Sequence, residues 1–276
     1  MITLVSMKFD INRQNLRFQG FLNTSHLWED AHVLDLEQLS LEKVNIAFNT
    51  VFDVPLRLGK LVERFLVHQL QHIPNYTILS ENYQVQNGTQ TIGELDCLLL
   101  EDAQPIHLEI VYKFYLYDAS VGTTQFEHWI GPNRRDSLHK KLTKLKQKQL
   151  PLLYNPLTQT YLKTLGYNAT DFKQFVCFKA QLFLPYGDQT INIETLNKNC
   201  IQGFYINHTQ LLEFKTCKFF IPKKLDWLMD IPIHIDWLSF DHFNIKIQTF
   251  LKEQSAPLCW IKYPNGVTTK CFVIWW

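Results

Sequence analysis

Two neighbouring apolar segments, each interrupted by charge at alternating positions, constrain this 276-residue chain more than any other feature. Residues 93–100 read Gly-Glu-Leu-Asp-Cys-Leu-Leu-Leu, and residues 107–115 read His-Leu-Glu-Ile-Val-Tyr-Lys-Phe-Tyr. Side chains two residues apart on a β-strand lie on the same face, so the charged residues of each segment share a face. The pattern therefore predicts two strands of a hairpin within a sheet that is apolar on both sides.

The charged residues of this hairpin suit one kind of chemistry. Glu94 lies beside Asp96 on the first strand, and Glu109 lies in line with Lys113 on the second. Carboxylate oxygens are preferred ligands of hard divalent cations, and a nearby ammonium stabilises charge that develops on a phosphate. Charges within such apolar strands are costly unless they are paired or bind a metal. The pattern favours phosphodiester cleavage, and a structural ion pair on the hairpin is the alternative.

Two further segments extend this pattern and carry a family resemblance. Residues 58–63 read Leu-Gly-Lys-Leu-Val-Glu, and residues 129–142 read Trp-Ile-Gly-Pro-Asn-Arg-Arg-Asp-Ser-Leu-His-Lys-Lys-Leu. Together with the hairpin, they resemble the bacterial family of domain-of-unknown-function 1853, which is usually placed in the PD-(D/E)XK nuclease superfamily. The resemblance covers roughly residues 50–185 well and the C-terminal third weakly. The Gly-Pro-Asn block is its most family-specific part.

The resemblance implies an α/β fold with a restriction-endonuclease-like core, in which a helix, a three-strand meander, a second helix and a further strand follow one another. The apolar periodicity of the chain agrees with this order. It predicts helices over residues 56–72 and 134–150, and strands over residues 76–85, 91–100, 106–117 and 175–185. The weaker pattern after Gly187 predicts an elaborated mixed α/β C-terminal half, with strands over residues 203–207 and 218–221, a helix over 240–252 and a closing hairpin of 260–263 and 270–276.

The predicted domain organisation follows from this order of elements. Residues 1–50 form an N-terminal extension, residues 51–186 form the core, and residues 187–276 form a C-terminal extension packed on the core. No linker rich in proline, glycine or serine separates these parts, so we expect one continuous domain.

The resemblance also implies roles for residues of the site. Asp96 and Glu109 correspond to the ligands of Mg²⁺ or Mn²⁺, Lys113 corresponds to the lysine that acts on the phosphate, and Glu63 corresponds to a further acid from the first helix. Glu94 shares a face with Asp96, so either residue could be the ligand. Comparison with the family favours Asp96.

One position departs from the superfamily signature, which usually places the lysine two residues after the acid. Val111 occupies that position here, and Lys113 follows Glu109 by four residues. Lys113 faces the same side of the strand, about 6.6 Å further along it than the usual lysine. The resemblance consequently supports the fold more strongly than it supports activity.

A basic segment after the hairpin is the predicted nucleic-acid contact. Lysines bind phosphates by charge without reading sequence. A solvated helix face is the alternative explanation for such a run of basic residues. The candidate contacts are Arg134, Arg135, Lys141, Lys144 and Lys148.

Composition limits the remaining possibilities. The net charge of +1 means that any binding of DNA or RNA depends on a local patch. The six scattered cysteines include no C-x-x-C pair, which argues against a zinc site and a disulfide framework. The sequence contains no signal peptide and no membrane-spanning segment, so we expect a cytoplasmic protein. It also lacks a P-loop, a dinucleotide fingerprint and a recognisable catalytic triad.

Two functions follow from the sequence. The first is a metal-dependent phosphodiesterase that hydrolyses DNA or RNA. The second is a module of the same fold that is catalytically inactive and binds nucleic acid or a protein partner; the displaced lysine supports this alternative.

Overall fold

The computed structural model describes residues 4–29, 33–42, 44–50, 52, 54, 56–188, 191, 193–231 and 234–276. Within these ranges the fold is mixed α/β. Its α-helices are α1 (Leu4–Asn23), α2 (Leu58–Leu70), α3 (Leu138–Lys144), α4 (Pro156–Thr164) and α5 (Phe240–Lys252). Its strands are β1 (Tyr76–Asn87), β2 (Gln90–Glu101), β3 (Gln104–Tyr117), β4 (Trp129–Ile130), β5 (Lys173–Pro185), β6 (Ile201–Asn207), β7 (Lys218–Phe220), β8 (Leu258–Lys262) and β9 (Thr268–Ile274).

These elements belong to two compact units, each of which is built from three separate stretches of the chain. The first unit contains the described residues within Met1–Leu22, His26–Tyr112 and Lys141–Lys179. The second contains those within Asn23–Ser25, Lys113–Lys140 and Ala180–Trp276. The boundaries of these units differ from the predicted limits after residues 50 and 186, and the predicted domain division stays a prediction.

In the first unit, an antiparallel meander presents the charged hairpin. The strand order is β1-β2-β3-β5. The turn between β1 and β2 contains Gly88 at a φ of 59°, a left-handed conformation that glycine adopts without steric cost. Strands β2 and β3 pair with Cys97 opposite Leu108 and Leu99 opposite Ile106. The predicted meander is therefore present, with β1, β2 and β3 each slightly longer than its pattern indicated.

Helix α2 buries an apolar face in the core of the same unit. Leu61, Phe65 and Leu66 are fully buried. The Phe65 ring contacts Phe48 and Phe18 edge-on, at centroid distances of 4.7 and 5.3 Å. Burial of each such side chain stabilises the fold by about 1.5–3 kcal/mol, which fixes the helix that carries Glu63.

The second predicted helix starts later than its pattern indicated and changes geometry before it ends. Its leucine stripe, Leu138, Leu142 and Leu145, is fully buried as predicted. After α3, a π-helical turn spans Leu145–Gln149 and a 3₁₀-helix spans Leu150–Tyr154. Pro151 has no N–H to continue an α-helical ladder, which accounts for the change at this point.

In the second unit, the strand order β5-β6-β9-β8-β7 combines two kinds of pairing. Strand β6 is parallel to β5 and to β9, whereas β8 is antiparallel to β9 and to β7. Helix α5 contributes Phe243 and Ile247 to a buried cluster with Phe219 of β7. The predicted strands and helix of this half are present, including the closing hairpin.

Several elements had no clear sequence signal. Helix α1, helix α4 and the two-residue strand β4 were not predicted.

All six cysteines are buried free thiols, and none of the helices in the described ranges is long and apolar enough to cross a membrane.

Strand β6 depends on a glycine, because a Cβ atom at Gly203 would lie 2.0 Å from the Lys270 carbonyl oxygen of β9. We expect Gly203→Ala to lower the free energy of unfolding by about 3 kcal/mol, since two paired backbones must separate. Gly59→Ala is the control: a Cβ there meets nothing within 4 Å, and alanine should stabilise helix α2 by about 0.5–1 kcal/mol. Urea unfolding of both variants measures the difference, and equal stabilities would contradict this explanation.

Candidate metal centre

Three carboxylates from helix α2 and strand β2 meet at one place in the first unit. Glu94 and Asp96 share a face of β2 because they are two residues apart, and α2 presents Glu63 to the same place. One ligand oxygen from each of the three lies within 4.8 Å of the others. We call Glu63, Glu94 and Asp96 the acidic triad. The side chains of Glu63 and Glu94 are 12% and 24% exposed, and Asp96 is 8% exposed.

Asp96 also meets Glu109 of the neighbouring strand. The β2–β3 register ends with Cys97 opposite Leu108, and one step further along it lies the pair of Asp96 and Glu109. There the Asp96 carboxylate replaces a backbone acceptor, since its Oδ2 accepts the Ile110 N–H at 2.9 Å. The charge of Glu109 contributes to the raised pKa of Asp96, which reflects how close the two carboxylates lie. The structure thus brings together the two residues that the sequence analysis assigned to the metal.

Glu109 is fully buried, and neutral donors occupy its oxygens. His107 Nδ1 accepts from the Gln174 amide at 2.9 Å, so Nε2 carries the proton and donates to Glu109 Oε1 at 3.2 Å. Burial lowers the pKa of His107 to about 4, which keeps this imidazole neutral. The Gln149 amide donates to Glu109 Oε2. Glu109 is therefore held rigidly behind Asp96 and outside the acidic triad.

Burial makes the ionised state of these acids costly. It raises the pKa of Glu63 to about 7. Burial, together with the charge of Glu109, raises the pKa of Asp96 to about 7. Burial also raises the pKa of Glu109, against the opposing charge of Lys141. A positive charge placed near these acids would stabilise their ionised forms.

Lys60 supplies part of that positive charge. Its ammonium donates to Glu63 Oε2 and Asn82 Oδ1, each at 2.7 Å, and to Glu94 Oε1. Burial alone would lower the pKa of Lys60, but the hydrogen bonds and charges of Glu63 and Glu94 outweigh it and the pKa is raised. Lys60 is on helix α2, three residues before Glu63, which is the spacing that places two side chains on one helix face.

A second lysine, Lys141, affects the buried acids and bonds to Gln149 of the π-helical turn. Its ammonium donates to Gln149 Oε1 at 2.7 Å, and Gln149 in turn donates to Glu109. The Lys141 charge opposes the raised pKa of both Asp96 and Glu109. This residue was predicted to contact nucleic acid, and in the structure it contributes to the electrostatics of the buried acids.

Lys113 belongs to the second unit, and its ammonium contacts Asp136 there at 2.5 Å. Val111, in the usual lysine position, is buried. Within the described residues, Lys60 directly contacts two members of the acidic triad, Glu63 and Glu94.

The other predicted nucleic-acid contacts have different surroundings. Arg134 forms an ion pair with Asp118 at 2.9 Å and lies 4.4 Å above the Trp276 ring, so it anchors the C-terminal residue. The remaining three are exposed, namely Arg135, Lys144 and Lys148.

Sequence reasoning missed Lys60, His107 and Gln149. Lys60 had a usable signal, because it precedes Glu63 by three residues within the segment that carries the family resemblance. Gln149 had none, since its orientation depends on a π-helical turn that the leucine spacing does not reveal.

The residues fit a divalent cation. Carboxylate oxygens are the ligands that Mg²⁺ and Mn²⁺ prefer. Metal–oxygen distances of about 2.1 Å for Mg²⁺ and up to 2.6 Å for Ca²⁺ allow two ligands of one ion to lie at most about 4.2–5.2 Å apart. The 4.8 Å spread of the acidic triad is within the limit for Ca²⁺ and about 0.6 Å above the limit for Mg²⁺, so the side chains would have to move closer by a small distance to coordinate Mg²⁺.

A family model described as "Domain of unknown function (DUF1853)" matches residues 18–272. No curated protein matches the chain, and no solved structure does.

The raised pKa of Asp96 predicts how stability depends on pH without metal. The folded pKa of about 7 lies above the usual value of about 3.9, so ionisation destabilises the fold increasingly from about pH 4 to 7 and constantly above that range. We expect Asp96→Asn to raise the free energy of unfolding by about 1–3 kcal/mol at pH 8 and by less at pH 5. Thermal and urea unfolding in EDTA measure this gain.

Asp118 is the control of opposite sign. Although burial opposes it, hydrogen bonds from Ser120 and Arg134 lower the pKa of Asp118, so Asp118→Asn should reduce stability at pH 8. A loss of stability at pH 8 in the Asp96→Asn variant would contradict the assigned electrostatics.

Proposed function

This chain belongs to the DUF1853 family, and we propose that it is a metal-dependent phosphodiesterase that hydrolyses DNA or RNA. The observation that carries the proposal is the acidic triad, whose ligand oxygens lie within 4.8 Å of one another. A restriction-endonuclease-like core of the PD-(D/E)XK superfamily is the architecture that the proposal implies, with acids on a central hairpin and a flanking helix.

The acidic triad would hold Mg²⁺ or Mn²⁺. When bound, the metal supplies a water of lowered pKa and polarises the scissile phosphate. Glu63 and Glu94 are partly exposed, so an ion in solvent could reach the triad although Asp96 itself is buried. Glu109, which the sequence analysis placed among the ligands, is proposed instead to remain outside the metal coordination, since Glu109 is fully buried and bonded to His107 and Gln149.

The proposed reaction is hydrolysis. A water oxygen forms a bond to phosphorus, the bond from phosphorus to the leaving nucleotide oxygen breaks, the attacking water loses a proton to solvent and the leaving oxygen gains one. Rigid placement of the chain's acids before the reaction avoids reorganisation during it. Gln174, His107 and Gln149 hold Glu109 in place, and the Ile110 N–H holds the Asp96 carboxylate on the adjacent strand.

A polyanionic substrate is favoured by a local group of cations. Lys144 and Lys148 are exposed and lie on the helical segment that also carries Lys141 and Gln149. The net charge of +1 leaves such local groups as the source of affinity for nucleic acid.

The alternative function is a binding module without catalysis. The observation that favours it is the absence of a lysine from its usual position: Val111 is buried there, and Lys113 contacts Asp136. A protein of this kind would bind nucleic acid or a protein partner without cleaving it.

The carboxylates provide the test. Purified protein should bind Mn²⁺ and should cleave DNA or RNA only when Mn²⁺ or Mg²⁺ is present. Glu94→Gln and Asp96→Asn should each weaken Mn²⁺ binding at least about tenfold, since ligands contribute no less than the residues that support them, and should abolish cleavage. Titration calorimetry and a labelled-substrate assay measure the two effects.

Glu81→Gln is the matched control for Glu94→Gln. Both glutamates are 24% exposed and each pairs with a basic residue of α2, Glu81 with Arg64 and Glu94 with Lys60. Glu81 lies outside the acidic triad, so its replacement should leave metal binding and cleavage unchanged. Equal losses in both variants, or nucleic-acid binding by the wild type without cleavage of any DNA or RNA substrate, would count against the phosphodiesterase.

Lys144 and Lys148 allow a separate test of substrate binding. Replacing both with alanine should weaken DNA or RNA binding and reduce the slope of log K against log salt by about 0.9 for each lost contact on a duplex. Stability should hardly change because both side chains are exposed. Fluorescence anisotropy across a salt series measures the slope, and an unchanged slope would show that this face is merely solvated.

A further inference from the structure

We propose that Lys60 is the catalytic lysine of this site and that binding of a divalent cation transfers its ammonium from the acidic triad to the substrate phosphate. The inference rests on the proposed function, because it assigns the cation that stabilises the charge developing on phosphorus. It replaces the sequence-based assignment of that role to Lys113.

The contacts of the candidate lysines separate them. Lys113 contacts Asp136 in the second unit. Lys141 donates to Gln149, and its charge acts on the buried Glu109 and Asp96. Lys60 directly contacts Glu63 and Glu94, two of the three residues proposed to hold the metal.

The Lys60 ammonium is held in a defined position. An ammonium has three N–H donors, and the structure gives Lys60 three acceptors on three elements: Glu63 on α2, Asn82 on β1 and Glu94 on β2. Asn82 has a φ of 51°, a left-handed backbone conformation that asparagine adopts more readily than most residues. The lysine is therefore positioned before substrate arrives.

Helix stability does not explain a lysine at this place. Lys60 is the third residue of α2, which begins at Leu58 and has no acidic residue in its first turn. The N-terminal turn of a helix carries a partial positive charge, so a cation there is unfavourable for the helix. The contacts of Lys60 with the acids offset this cost, which ties the residue to the site.

Exposure allows Lys60 to reach a substrate. Its side chain is 43% exposed, whereas Asp96 is 8% exposed and the Glu63 side chain 12%. Lys60 thus lies on the solvent side of the acidic triad. A phosphate that approaches the triad from solvent meets this ammonium beside the carboxylates.

Lys60 and the proposed metal would compete for the same carboxylate oxygens. The carboxylates of Glu63 and Glu94 now accept hydrogen bonds from Lys60. The Lys60 ammonium would leave these carboxylates if a divalent cation bound them, because like charges repel and the cation would take over part of the carboxylate charge. The N–H donors of Lys60 would then bind the nearest remaining anion, a non-bridging phosphate oxygen of the substrate. Lys60 stays protonated throughout and stabilises charge in the transition state.

The test compares Lys60→Met, Lys60→Arg and Lys113→Met in single-turnover cleavage at saturating Mn²⁺, with Mn²⁺ affinity measured separately. We expect Lys60→Met to cleave at least about 100-fold more slowly, and to bind Mn²⁺ as tightly as the wild type or more tightly. Lys60→Arg should recover most of that rate, and Lys113→Met should remain within about threefold of the wild type. The melting temperature of each variant verifies folding.

The outcomes separate this inference from the proposed function. Wild-type cleavage with Lys60→Met equally active, or with Lys113→Met as the slow variant, overturns the role of Lys60 and leaves the phosphodiesterase standing. A Lys60→Met variant that binds Mn²⁺ more weakly but cleaves at the wild-type rate at saturating Mn²⁺ also overturns it, since Lys60 would then merely organise the ligands. A wild type that binds Mn²⁺ but cleaves nothing refutes the proposed function, and the catalytic role of Lys60 falls with it.

Discussion

The concentration of carboxylates at the β2–β3 hairpin is the constraint on which the rest of the site depends. Glu63, Asp96 and Glu109 all have raised pKa values because burial and mutual repulsion disfavour their ionised forms. Such an arrangement costs stability in the absence of a cation. Folded proteins retain such arrangements where a ligand offsets the cost or where function requires it, and the acidic triad provides the oxygens that a divalent cation needs.

The surrounding residues respond to that cost in two ways. On the solvent side, the Lys60 ammonium bonds to Glu63 and Glu94, the carboxylates that we propose as metal ligands. On the buried side, His107 and Gln149 bond to Glu109 with neutral donors that leave its charge in place. The buried acid is therefore bonded to neutral groups, whereas the partly exposed acids are bonded to a cation.

Sequence alone was sufficient for features that depend on local periodicity. Alternation along residues 93–100 and 107–115 placed the acids on adjacent strands, and the leucine stripe of Leu138, Leu142 and Leu145 marked a buried helix face. The partner of Lys113 could not be predicted, because Asp136 is 23 residues away in a loop whose path is set by tertiary contacts.

The site's remaining contacts were hidden for related reasons. The bond from Gln149 to Glu109 depends on a π-helical turn, and the contact of Lys60 with Glu94 joins residues 34 apart in sequence. Helix α1 lacked a clear apolar stripe, so it was missed although its Phe18 and Phe21 belong to the core of the first unit. Sequence patterns therefore located the acids and the strands and offered a signal for the pairing of Lys60 with Glu63, whereas the contact of Lys60 with Glu94 required the structure.

Anomalous diffraction at the manganese edge, from crystals soaked in Mn²⁺, tests the central claim most directly. The account predicts one anomalous peak at about 2.1–2.3 Å from an oxygen of each of Glu63, Glu94 and Asp96, with the Lys60 ammonium moved away from at least one of the two glutamates. A crystal with Mn²⁺ bound elsewhere, and with Lys60 still bonded to Glu63 and Glu94, would contradict it.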